Sequence, residues 1–181
     1  MIADTYTERR VRVSAYRVLP VGDPLLVEVQ PGKRLHRVAA DLLRAMLAEA
    51  EVALDGKPIK VQSAHRRHRW RSREHYEQTL SRRYKTGHMS DAQAIRKGRR
   101  FLAFDSPHET GLAVDFGSHG LWPTSNTIAA QRRTVLHAWF VEHAWRFGWH
   151  PYKAEPWHWE CPLPSRHFEG EPLTCFDGPP W

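Results

Sequence analysis

Two short stretches constrain this chain more than any others: SPHETGLAVDFG at residues 106–117 and EPWHWE at residues 155–160. Each reads as a strand with His, Asp or Glu set along it or at its end. Such side chains act together only when a rigid platform holds them. The flanking segments alternate between strand-like and helix-like patterns. Helices bracketing strands with polar residues at their ends predict an α+β domain whose platform is a small antiparallel sheet.

The other elements follow from periodicity. Residues 11–18 and 25–29 read as short strands separated by LPVGDP, whose Gly and two Pro mark a turn. Leu35, Val38, Ala39, Leu42, Leu43, Met46, Leu47 and Ala50 recur at the three-and-four spacing of one buried helix face, and Gly56 with Pro58 ends the run. PIKVQSA reads as a further strand, residues 71–84 and 90–102 as basic helices, and GLAVDFG as a strand. Asn126 is expected to cap a second long helix carrying Ile128, Leu136, Trp139, Phe140 and Phe147, with Gly148 as its C-cap. WHPYKAEPWHWECPLP then reads as a turn, one strand and a Pro-rich exit. The 181 residues are expected to form one domain, with N-terminal strands and helix over 10–55, the motif core over about 61–160 and a Pro-rich tail over 162–181.

Composition narrows the class of protein. A hydrophobic fraction of 41% with eight Trp is enough to build a core, which excludes disorder as the main state. A formal charge of +7 and a pI near 9.8 point to an anionic partner: nucleic acid, a membrane surface, or the phosphates and carboxylates of a bacterial cell wall. No apolar run is long enough to span a bilayer. The first residues, MIADTYTERRVRVSAY, lack the apolar core of a secretory signal. Cytosolic residence, a trimmed leader and export by another route are all compatible with that start. Cys161 and Cys175 can form one disulfide, and their oxidation state follows the compartment.

The two opening stretches carry the chemistry. A catalytic zinc site takes three protein ligands from His, Asp or Glu and leaves the fourth position to water. His108, Asp115 and His158 can supply that set, and Glu155 can act as the base that takes the proton of the water. Gly111 between the first two ligands lets the backbone turn so that residues seven apart converge. Cys161, three residues after His158 on a continuing strand, is expected on the opposite face. Of the twelve His, those at 36, 75, 119, 137, 143 and 150 match no motif and are read as structural.

SPHETGLAVDFG fits Ser-x-His-x-x-Gly-x-Ala-x-Asp, and EPWHWE fits Glu-x-Trp-His. Together they resemble the zinc D-Ala-D-Ala carboxypeptidases and dipeptidases of the vancomycin-resistance type, which share a fold with lysostaphin and the hedgehog signalling domain. The resemblance implies one zinc per chain held by His108, Asp115 and His158, with Glu155 as general acid and base. It also implies an oxyanion-stabilising Arg, for which SAHR offers Arg66 and the following WRS offers Arg71 as a rival. Ser106 would lie near the substrate, and Trp157 would wall the site. The implied partners are peptidoglycan or its muropeptides, bound by a monomer.

Three readings of activity follow. The first is D,D-carboxypeptidase action, releasing terminal D-Ala from a stem peptide. The second is endopeptidase cleavage between L-Ala and D-Glu. The third is a binding module, either a zinc domain without catalysis or a basic nucleic-acid binder built on RRHRWRSREHYEQTLSRRYK. Retention of Glu155 argues against a zinc domain without catalysis, because a purely structural site needs no base. The metal motifs favour an anionic wall polymer over nucleic acid as the partner of the basic helix, whose bland alternative is a solvated face with pairs such as Glu74 and Gln78.

Overall fold

The structure is a computed structural model and describes residues 10–163 apart from Arg69 and His119. Cys175, His119 and nearly all of the Pro-rich tail therefore lie outside the described residues. In chain order the elements are β1 (Leu26–Gln30), β2 (Lys33–His36), α1 (Arg37–Ala53), β3 (Lys60–Ser63), α2 (Arg73–Tyr84) and α3 (Asp91–Gly98). They continue with β4 (Ala113–Gly117), α4 (Ile128–Arg132), α5 (Val135–His143), β5 (His150–Tyr152) and β6 (Glu155–Glu160). The chain divides into two compact units: one runs up to Arg66 and resumes at Pro107, and the other is Arg67–Ser106.

The first unit has the α+β architecture expected from the sequence. A four-stranded antiparallel sheet runs in the order β3-β4-β6-β5, and β1 and β2 form a separate hairpin. Period-two alternation sorts its residues. Val114 and Phe116 on β4 and Trp159 on β6 enter the same buried cluster as Val38, Leu43, Met46 and Ala50 of α1 and Phe140 of α5. The rings of Phe116 and Phe140 lie 4.7 Å apart, and those of Phe140 and Trp159 lie 5.4 Å apart. Asp115 and His158, the odd partners in this alternation, face each other across β4 and β6. The core therefore fixes by parity which polar side chains emerge together on the far face.

Several elements differ from the sequence expectation. Residues 11–18 form no strand and contain only a 3-10 turn at Val13–Ala15. The segment is buried at its two ends, by Val11 and Leu19. Its end amides are satisfied by separate partners: Val11 N–H by the Glu160 carboxylate, and Leu19 N–H by the Glu109 carbonyl at 2.8 Å. With no continuous neighbour, a ladder cannot form. Leu35 is fully buried but belongs to β2, because the His36 side chain accepts from Val38 N–H and caps α1 one step later. The expected second long helix is broken: Asn126 sits inside a 3-10 turn, and Thr134 caps α5 by accepting from His137 N–H. Gly148 does adopt the left-handed C-cap, with φ of 74°. Two strands, β5 and β6, replace the single expected one.

In the second unit, Ser72 caps α2, and Ser90 with Gln93 forms a capping box on α3. Buried Tyr76 and Leu80 form the inner face of α2, and the Tyr76 hydroxyl donates to the Leu102 carbonyl at 2.6 Å. The basic residues of α2 lie on its outer side, where Gln78 donates to Glu74 at 3.0 Å.

Gly111 has φ of +73°, and a Cβ there would lie 2.7 Å from the His36 backbone nitrogen. That nitrogen donates to the Gly111 carbonyl at 3.0 Å, so the turn between the two motif residues is stitched to the start of α1. Gly32 has a similar φ of +70° with open space around it. Both Gly111→Ala and Gly32→Ala should pay the left-handed penalty of about 1–2 kcal/mol. Gly111→Ala should cost clearly more in a denaturant melt, because backbone cannot yield as a side-chain tip can. Equal losses would mean that the contact with α1 contributes nothing.

Candidate metal centre

His108 sits in a buried 3-10 turn, Pro107–Thr110, immediately before β4. Its Nδ1 lies 2.8 Å from the Ala64 carbonyl, just past the end of β3. A carbonyl only accepts, so Nδ1 carries the proton and Nε2 presents a lone pair. That Nε2 is buried without a hydrogen-bond partner and lies 3.3 Å from Asp115 Oδ1. Burial pushes the His108 ring below the usual histidine range, so it is held neutral despite the attraction of Asp115. A lone pair aimed at a carboxylate is an unfavourable pairing that a cation between the two relieves.

His158 completes the cluster. Its Nδ1 is 2.9 Å from the same Asp115 oxygen, and its Nε2 is 3.0 Å from Glu160 Oε1. The two His rings meet edge to face with centroids 5.0 Å apart. Burial pushes the His158 ring down, but the bonds to Asp115 and Glu160 outweigh it and carry it up to about 9. Burial likewise pushes Asp115 up, and the two His outweigh that, leaving it well below the usual carboxylate range. One ligand atom from each of His108, Asp115 and His158 lies within 4.8 Å of the others, and this is the one such cluster among the described residues. Two imidazoles and one carboxylate are a donor set suited to zinc with an open position. The residues present thus fit the metal that the sequence implies.

The other expected site residues are placed as follows. Arg66 leaves the end of β3 with its Nε donating to Ser63 Oγ at 3.1 Å and its Nη2 3.8 Å from Asp115 Oδ2. Its side chain is 56% exposed, so the guanidinium is anchored beside the cluster and still reachable. Arg71 and Ser106 belong to the second unit; Arg71 N–H donates to His75 Nδ1 at 3.2 Å. Glu155 opens β6 and is coupled electrostatically to His158, Asp115 and Arg66. Burial pushes its carboxyl above the usual range, while the buried Trp157 side chain bonds it and pulls the other way.

Glu155 and His158 are an odd number of residues apart, so a regular strand would send them to opposite faces. The β5–β6 pairing breaks at this point: Tyr152 opposes Glu155, whereas the next residue back, Pro151, opposes Trp159. This bulge takes residues 156–158 out of strict alternation. Cys161 follows the strand into the core cluster, away from the three ligands in role, and its thiol is pushed up by burial.

Two partners were not singled out from sequence, the Ala64 carbonyl and Glu160. The first leaves no trace in residue type. The second was legible, since a residue two after a strand His shares its face.

The chain matches no protein-family model and no curated protein. Among solved structures, it is similar to vancomycin-resistance D,D-pentapeptidase VanY from the VanB-type resistance cassette, a variant in complex with Zn(II), at 24% identity and a TM-score of 0.53. The match covers 81% of this chain and 84% of that one. It is also similar to VanYB in complex with D-alanine-D-alanine, at 24% identity and a TM-score of 0.52, over 75% of this chain and 76% of that one. The α+β fold expected from the two motifs is the fold that these structures share with this chain.

Proposed function

We propose that the protein is a zinc peptidase acting on the stem peptides of peptidoglycan, releasing terminal D-Ala as a D,D-carboxypeptidase. The convergence of His108 Nε2, Asp115 and His158 Nδ1 on one point carries this reading. The fold shared with a zinc-bound D,D-pentapeptidase, and with a relative bound to D-alanine-D-alanine, supports it.

The three ligands would hold one zinc. When bound, it supplies a Lewis acid and brings the pKa of water to about 7. Glu155 takes the proton of the attacking water and returns it to the leaving amine. Burial raises its pKa, the direction that favours holding the proton between the two halves of that exchange. Arg66 offers its free N–H groups to the scissile carbonyl as negative charge develops there, or to the terminal carboxylate in bidentate fashion. Trp157 keeps the Glu155 carboxylate oriented. Ser106 is assigned to substrate contact, and Arg71 is the alternative to Arg66.

Defined pentapeptide stems incubated with protein and zinc should yield free D-Ala and a tetrapeptide, read by mass spectrometry. Products cut between L-Ala and D-Glu, without free D-Ala, would move the assignment to an endopeptidase. Intact stems would overturn the peptidase reading.

A further inference from the structure

We infer that Glu160 is a positioning residue that locks the His158 ring with Nε2 protonated and Nδ1 turned to the metal, and that the N-terminal segment at Arg10 and Val11 holds Glu160 in place. The inference rests on the metal reading above but not on any particular substrate.

Glu160 is fully buried at the end of β6. A buried carboxylate is costly unless its oxygens are paired. Here both are. Oε1 lies 3.0 Å from His158 Nε2 and 3.5 Å from Arg10 Nε, and Oε2 accepts the Val11 N–H. A carboxylate accepts and does not donate, so the ring nitrogen facing it must carry hydrogen. Nδ1 also faces a carboxylate, Asp115 at 2.9 Å, but Asp115 belongs to the ligand cluster and Glu160 does not, so a cation bound there would replace the Nδ1 proton while Nε2 stays bonded to Glu160.

The two His are oriented by different means. His108 is fixed by a neutral carbonyl, whereas His158 is fixed by an anion, which both selects the tautomer and raises the basicity of the coordinating nitrogen. The anchoring segment comes from the opposite end of the described chain. Val11 is itself buried in the core, and the Arg10 guanidinium lies 3.8 Å over the Tyr152 ring. That ring stands edge-on to His158 at 5.8 Å. Residues 10 and 11 thus brace Glu160 where it meets His158 Nε2.

The test uses the full chain and zinc alone, so it is independent of peptidase activity. Competition with a chromophoric chelator should show Glu160→Gln binding zinc about 10–100-fold more weakly than wild type. A residue that merely supports the fold would lower the melting temperature and leave zinc affinity unchanged. In wild-type protein labelled with ¹⁵N-histidine and loaded with zinc, His158 should show a protonated Nε2 and a metal-shifted Nδ1. Coordination through Nε2 would overturn the inference, as would a folded Glu160→Gln protein with wild-type affinity. If that variant does not fold, the wild-type spectrum decides. A wild-type chain that binds no zinc overturns the metal reading, and this one with it.

Discussion

Glu155→Gln is expected to leave zinc in place and to lower kcat/KM on a stem peptide by about 10²–10⁴. The substitution keeps the size of the side chain and can still accept a hydrogen bond from Trp157. It removes the one property that the proposed role requires, the capacity to take a proton. Glu155 does not belong to the three-residue ligand cluster, so metal content should not change. Elemental analysis and steady-state kinetics on the same preparation separate the two effects. Activity within tenfold of wild type would assign the base to another group.

The double replacement His108→Ala with His158→Ala should reduce zinc from about one per chain to nearly none. Asp115 alone retains only one carboxylate in a place built for three converging donors, and one carboxylate does not hold zinc. Stability provides a second measure. A ligand that binds only the folded state stabilises it by about 4 kcal/mol when present at a thousand times its dissociation constant. Added zinc should therefore raise the melting temperature of the wild type and leave that of the double variant unchanged. A variant that keeps full occupancy would place the metal elsewhere.

The site was legible to the extent that its residues obey strand parity and motif spacing. Asp115 and His158 sit opposite each other because alternation on β4 and β6 sends Val114, Phe116 and Trp159 to the core. That is a local rule, readable in GLAVDFG and WHW. The grouping of Glu155 with His158 violates the same rule, and the bulge that accommodates it depends on how β5 pairs, which no local pattern encodes. The misread N-terminal strand has a similar origin. Its alternating apolar residues suit a strand, but a strand also needs a neighbour, and here Val11 and Leu19 are claimed by the Glu160 carboxylate and the Glu109 carbonyl. The division of the expected second helix was concealed because Thr134 is an ordinary cap residue inside an otherwise helical run.

The strand order β3-β4-β6-β5 places the ligand-bearing strands β4 and β6 on the inside and leaves β3 and β5 as the edges. Proteins open locally from their margins, at a fraction of the free energy of global unfolding. Fraying of β5 or β3 therefore leaves the Asp115–His158 pairing between the inner strands closed. The inner strands thus keep two of the three ligands, Asp115 and His158, away from the sheet's yielding margins.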